Sequence, residues 1–214
     1  MARRTKEEAQ ATRAHLLDAA ELLFHARGVA RTSLGDIAKA AGVTRGAVYW
    51  HFRDKADVFN AMLDRVTLPL EDACNSTRAS TCDLLENLRT GVVDFLRKLV
   101  TDERTRRVFE IAIFKAEYVD DMQAAHLRHA RACANFRARI ESDLRQIARG
   151  SGVTLPMPAA MAAMGLHALL DGLFQNWILE EGNFDLVKVG RKTMDAYFAG
   201  LGLSCAAGAV AANH

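Results

Sequence analysis

The sequence predicts an all-α fold of about nine helices, and three observations carry that prediction. Three prolines and fourteen glycines in 214 residues leave few forced breaks. Aromatic residues reach only 7% while Ala, Leu, Arg and Glu dominate, so strands and hairpins have little to be built from. Apolar residues recur at helical spacing along most of the chain. With half of its residues hydrophobic and a quarter charged, the chain has the balance of a globular protein rather than a disordered one.

A first helix is expected from Lys6 to Arg27, where Leu16, Leu17, Ala20, Leu23 and Phe24 form one buried stripe and Gly28 follows as a left-handed stop. Ser33 stands three residues before Asp36, a capping arrangement that opens a short helix through Ala41, with Leu34, Ile37, Ala38 and Ala41 inward. Gly42 ends it. Thr44 caps a third helix that turns Val48 and Phe52 inward, and Asp54 caps a fourth from Lys55 to about Ala73. The polar, aperiodic stretch CNSTRASTC, residues 74–82, reads as a loop.

Leu84, Leu85, Leu88, Val92, Phe95, Leu96 and Leu99 mark the next helix, and Val108, Ile111 and Ala112 mark another that extends to Tyr118. From Asp121 to Arg149 a long polar-faced helix is expected with Phe136, Ile140 and Leu144 inside, followed by the linker GSGVTLPMP, residues 150–158. Ala159 to Glu180 is apolar nearly all round. Glu181, Gly182 and Asn183 break it, Asp185 to about Gly200 forms a last amphipathic helix, and the tail from Leu203 to His214 is expected to fray. An all-round apolar helix must be buried, and a subunit interface is the economical way to do so in a chain of this size. Leu169, Leu173, Phe174, Trp177 and Ile178, with Met194, Tyr197, Phe198 and Leu201 on the last helix, are therefore the expected contact between two copies.

The net charge of +2 is unevenly spread: residues 1–55 hold ten basic against six acidic residues, and the remainder eighteen against twenty. A basic N-terminal quarter suits phosphate contact and equally a solvated helix face. Four cysteines, Cys74, Cys82, Cys133 and Cys205, show no CxxC pair or metal-ligand spacing. The charged start MARRTKEEAQATR lacks an apolar signal core, and the longest uncharged stretch carries Pro156, Pro158 and His167, so a cytoplasmic chain without a membrane segment is expected.

The informative segment is TSLGDIAKAAGVTRGAVYWHFRDK, Thr32 to Lys55. A helix-turn-helix needs a small residue where two helices approach, a glycine at the turn and a branched apolar residue that plugs the second helix into the first. Ala38, Gly42 and Val48 supply these. Thr44 and Arg45 lie at the start of the second helix, where hydroxyl, amides and dipole favour an anion, and Gly46 and Ala47 are small enough to let that helix sit deep in a groove. Tyr49 follows Arg45 by four residues on the same stripe, Phe52 reads as core, and Trp50 reads as packing.

These motifs resemble the TetR family of transcriptional repressors, and within it the AcrR-like and TtgR-like regulators of multidrug efflux; weaker echoes continue in TDERTRR, EIAIFKAEYVDDM and GLFQNWILEEGNFDL. The resemblance implies a helix-turn-helix DNA-binding domain over residues 1–55, a linking helix over about 55–73, and a helical ligand-binding and dimerisation domain over 74–214. It implies a homodimer on a pseudo-palindromic double-stranded operator, released by a hydrophobic small-molecule inducer. Carried over by position, Thr44, Arg45, Gly46, Tyr49 and His51 belong to the recognition helix and Ser33 and Lys55 are phosphate contacts. Arg45 is the candidate for a guanine edge, since its planar fork can bond O6 and N7 together.

The same resemblance points an inducer pocket at Phe109, Ile113, Phe136, Ile140, His167, Leu170, Asp171 and Phe174, with Glu117 as a second acid for a cationic compound. An acid among apolar residues is costly unless paired, so Asp171 must meet His167, a backbone donor or a ligand. His126 and His129 lack a third metal ligand, no nucleophile elbow or phosphate loop accompanies His167 and Asp171, and no cofactor is implied. The alternatives are a TetR-type regulator of a metabolic or stress operon and, more distantly, a helical enzyme or lipid carrier.

Overall fold

A computed structural model describes residues 6–75, 81–116 and 122–203. Among these the chain forms α1 (Lys6–Arg27), α2 (Leu34–Ala40), α3 (Arg45–His51), α4 (Lys55–Asn75), α5 (Thr81–Thr101), α6 (Glu103–Glu110), a π turn (Ile111–Lys115), α7 (Gln123–Ser151), α8 (Ala159–Leu179) and α9 (Leu186–Gly200). No strand occurs among the described residues. The chain divides into two compact units, Met1–Asp72 with Asp102–Ala132 and Ala73–Thr101 with Cys133–His214.

The first unit is built on the α1 stripe. Leu16, Leu17, Ala20 and Phe24 bury against Ile37, Ala38, Val48, Phe52, Phe59 and Met62, and the core continues through Val108, Ile111 and Ala112. Removing a side chain of this size from water stabilises by about 1.5–3 kcal/mol, which is what fixes the short helices α2 and α3 in place. Gly28 adopts φ +82° and closes α1 as expected. Residues 102–132 cluster with the N-terminal segment in this unit. Glu21 explains why. Its carboxylate lies buried on α1 and meets Arg107 Nη1 at 3.0 Å and Arg104 Nε at 3.4 Å from α6, while Asp18 bridges Arg65 at 2.7 Å and Arg104 at 2.9 Å. Burial pushes the Glu21 carboxyl above its ordinary value against the pull of these guanidiniums.

Sequence periodicity predicted one unbroken helix to Tyr118, and the structure replaces its end with the π turn; Tyr118 lies outside the described residues. Lys115 falls seven residues after buried Val108, so an unbroken α-helix would carry an ammonium onto the core stripe. An i→i+5 turn rotates less per residue and sets Lys115 to the side of that stripe. Of the loop expected over residues 74–82, α4 takes Cys74 and Asn75 and α5 takes Thr81 and Cys82; residues 76–80 lie outside the described residues.

In the second unit α5, α8 and α9 pack with Leu96, Leu99, Ile140, Leu144, Leu166, Leu170, Phe174, Met194 and Phe198 buried. Two glycines permit close approach. A Cβ on Gly190 would lie 2.2 Å from Leu96 Cδ1, and one on Gly165 would lie 2.5 Å from Tyr197 Oη, which donates to the Ala162 carbonyl at 2.7 Å. Asp185 caps α9 by accepting the Lys188 amide at 2.9 Å, and Glu181 (φ 53°) and Gly182 (φ 78°) make the break before it. Phe136 was expected inside and is 40% exposed instead: it shares the stripe of Ile140 and Leu144 on α7, but lies one turn before the point where that stripe becomes buried. No helix among the described residues is long and apolar enough to cross a membrane.

The Gly165 contact is testable by a double-mutant cycle. Gly165→Ala should cost about 1–3 kcal/mol by overpacking against Tyr197. In a Tyr197→Phe background, which lacks the clashing oxygen, the added cost should fall below about 1 kcal/mol in denaturant titrations. Equal costs in both backgrounds would place the strain elsewhere.

Candidate nucleic-acid interface

Two capped turns hold α2 and α3 in a helix-turn-helix. Ser33 Oγ accepts the Asp36 amide at 3.2 Å while the Asp36 carboxylate accepts the Ser33 amide at 2.9 Å and its hydroxyl at 2.6 Å, completing a capping box. Those bonds hold the Asp36 carboxyl below its ordinary value. At the far end of α2, Gly42 donates to the Lys39 carbonyl at 3.2 Å and Val43 to the Ala38 carbonyl at 3.0 Å, with Gly42 at φ +66°. This is a Schellman closure, and it turns the chain into α3. Thr44 caps α3 by accepting the Ala47 amide at 3.3 Å. Val48 and Phe52 bury fully, which plugs α3 into α1 and α2 and turns its remaining faces outward.

On that outward surface Thr44, Arg45, Gly46 and Tyr49 are exposed and His51 is half-buried. Arg45 Nη2 donates to Tyr49 Oη at 3.3 Å, with the guanidinium 5.7 Å from the ring centroid. The phenol therefore steadies a cation that the helix dipole disfavours at this end. Trp50 is the correction: read from the sequence as packing, it is 76% exposed, with its ring 5.0 Å from that of His51 in an edge arrangement. Its position held the signal, since two residues past the buried Val48 is the opposite face of a helix.

Ser33 and Lys55 do come together. With Ala30, Arg31, Thr32, Leu34 and Asp36 they line a cleft of about 360 Å³ at the start of α2. Lys55 Nζ donates to the Ala30 carbonyl at 3.3 Å, and the Ser33 hydroxyl is engaged by Asp36, which makes it a cap first. Arg31 is the cation of this cleft that sequence reasoning missed.

The residues expected around an inducer divide between the units. Phe109 packs on the core of the first unit and Ile113 is half-buried in the π turn; Glu117 lies outside the described residues. In the second unit Phe136 and His167 bring their rings to 5.7 Å, and His167 Nδ1 stands 3.3 Å from Asp171 Oδ2. Cys133 joins this group: burial and the Asp171 charge push its thiol up. Ile140, Leu170 and Phe174 are buried.

The side chains expected between two copies are mostly internal. Met194 and Phe198 are fully buried, Trp177 is nearly so and donates Nε1 to the Phe184 carbonyl at 3.1 Å, and Tyr197 is spent on Ala162. An apolar helix cannot announce which of its faces its own unit takes, and here the aromatic residues took the core. Met161, Met164 and Leu179 of α8 and Val189 of α9 are the large apolar side chains left exposed on these helices.

Residues 16–62 match the family model for bacterial regulatory proteins of the tetR family, and residues 83–202 match that of the C-terminal region of MAATS-type transcriptional repressors. The chain is 39% identical over 196 residues to the HTH-type transcriptional regulator TtgR of Pseudomonas putida, covering 91% of this chain and 93% of that one. NalD, the secondary repressor of the MexAB-OprM multidrug efflux pump in Pseudomonas aeruginosa, superposes with a TM-score of 0.82 at 36% identity, over 92% of this chain and 98% of that one. SmeT, the repressor of the Stenotrophomonas maltophilia multidrug efflux pump SmeDEF, has been solved in complex with triclosan; it superposes with a TM-score of 0.77 at 34% identity, over 89% of this chain and 91% of that one. A capped helix-turn-helix with an outward cation and aromatic residues, matched at both ends of the chain, makes this protein a member of the TetR family, a DNA-binding transcriptional repressor rather than an enzyme.

Proposed function

We propose that the chain represses a multidrug efflux operon as a homodimer and leaves its operator when an apolar small molecule binds. The observation that carries this is α3: a helix start capped by Thr44, Arg45 braced by Tyr49, and exposed Trp50, all presented by the buried plug of Val48. In this reading Arg45 reads a guanine edge, while Tyr49, Trp50, His51 and the Ser33, Arg31 and Lys55 cleft hold the sugar-phosphate backbone. Two copies of α3 about 34–36 Å apart enter successive major grooves, so the operator is a pseudo-palindrome. Acting on DNA places the protein in the cytoplasm.

The efflux assignment rests on the relatives: NalD and SmeT each repress a multidrug efflux pump, and SmeT takes triclosan. The polar anchor for a corresponding ligand here is the His167 and Asp171 pair beside Phe136, a small polar group at an apolar wall. For the dimer contact, the exposed Met161, Met164 and Leu179 replace the internal aromatics as the apolar surface that a second copy covers. Methionines suit that role because their flexible thioethers fill irregular gaps.

Arg45→Ala should lose about 1–3 kcal/mol of discrimination per half-site between operator and scrambled duplex, with fold and dimer intact. An unchanged ratio of the two affinities in titrations would remove Arg45 from base recognition. Met164→Asp places a charge twice in a two-fold apolar contact and should give monomers in sedimentation with little operator affinity. A variant that stayed dimeric would move the contact off this face of α8.

A further inference from the structure

The described methionines fall into two sets. Met62, Met122 and Met194 are fully buried, whereas Met157, Met161 and Met164 are 38%, 61% and 52% exposed. Met161 and Met164 stand three residues apart in the first turns of α8, so they share one face, and Met157 precedes that helix in the linker. Their neighbours on the face, Ala160 and Ala168, are exposed and too small to screen a thioether. Two sulfurs are thus held open on a regular helix while those of the cores are closed off.

An exposed thioether reacts in one characteristic way, by taking an oxygen atom from a hypohalous acid or a hydroperoxide. With hypochlorous acid the sulfur lone pair takes the chlorine, hydroxide departs, and water then replaces chloride at sulfur. In sum the thioether loses two electrons and gains one oxygen, the chlorine is reduced to chloride, and one proton is released. The product is a sulfoxide, a polar acceptor where there was an apolar chain. Ala160, Met161, Met164, Ala168 and Leu179 carry no side-chain donor, and α8 contains no lysine or arginine. In a two-fold contact the partner presents the same residues, so a sulfoxide oxygen buried there lacks a donor from either copy. Leucine would cover the same area without reacting.

We propose that Met161 and Met164 form an oxidation site for hypohalous acids, through which oxidation separates the two copies and releases the operator, an inference that rests on the repressor reading and on α8 as the contact between copies. While the copies are joined, each covers the sulfurs of the other; on separation both pairs open to solvent. Oxidation acts on the separated chains and prevents their return, so mass action draws the remaining dimers apart. A single α3 enters one major groove alone, and the operator is lost with the dimer. By the same linkage, a duplex that holds two copies together protects their sulfurs.

The test uses the full chain, the duplex it selects from random-sequence DNA, and hypochlorous acid in small molar excess. Peptide mass analysis should find one added oxygen on each of Met161 and Met164, with Met62, Met122 and Met194 unchanged. The treated chain should sediment as a monomer and bind the duplex at least about tenfold more weakly, and methionine sulfoxide reductases should restore both properties. Those enzymes do not reverse oxidation of cysteine, so recovery assigns the effect to the thioethers. The double variant Met161→Leu with Met164→Leu keeps the apolar volume; it should bind within about twofold of the parent chain and remain a dimer on the duplex after treatment. A parent chain that carries both sulfoxides and stays dimeric overturns the proposal, and so does a double variant that loses the duplex to the oxidant as the parent does. Should the double variant fail to fold, the parent decides: bound duplex should slow oxygen addition at Met161 and Met164, and an unchanged rate overturns the proposal. A parent chain that selects no duplex overturns the repressor reading instead, and sedimentation of the treated chain still decides whether oxidation separates the copies.

Discussion

A carboxylate that cannot reach water organises the N-terminal unit. Glu21 lies on the buried side of α1, where an ionised acid is tolerated only with partners, and α6 supplies them as Arg104 and Arg107. Arg107 also holds Glu103, and Arg104 shares Asp18 with Arg65 of α4, so one buried charge recruits three helices. Removing a partner would leave Glu21 uncompensated, whereas keeping all of them ties α6 to the helix that carries the reading head. Such networks add less to stability than equivalent apolar packing, and their contribution is to fix which surfaces meet.

The recognition surface shows how little regular structure is needed once its ends are secured. Neither α2 nor α3 exceeds two turns, and an isolated helix of that length would not persist in water. The capping box at Ser33, the Schellman closure at Gly42 and the Thr44 cap satisfy the end groups, and Val48 supplies the buried contact that holds α3 against α1 and α2. Because packing buries Val48 and Phe52, the exposed Thr44, Arg45, Gly46, Tyr49 and Trp50 face outward toward a ligand. A charged, aromatic surface on a rigidly seated short helix is what a major groove requires.

The second unit solves a different problem, the close packing of apolar helices. Gly165 leaves the space that the Tyr197 hydroxyl fills on its way to the Ala162 carbonyl of α8, and Gly190 leaves the space that the Leu96 methyl of α5 fills. Phe174, Trp177, Met194 and Phe198 fill the interior, and Met161 and Met164 are left outside. That distribution commits Trp177, Met194 and Phe198 to the interior of their own chain.

Local chemistry made much of this legible in the sequence. The start of α2 at Ser33, the stops at Gly28 and Gly42, the cap of α3 at Thr44 and the seating of Val48 each follow from residues within a few positions of one another, and each stands where periodicity and capping put it. What tertiary structure decided depends on residues far apart in the chain. Glu21 meets Arg107 across 86 positions and Lys115 meets His25 across 90, which is why the membership of residues 102–132 in the N-terminal unit and the π turn itself were invisible to a local pattern. Phe136 failed for the same reason: it stands on the stripe of Ile140 and Leu144, but only the packed neighbours determine how far along a stripe burial extends.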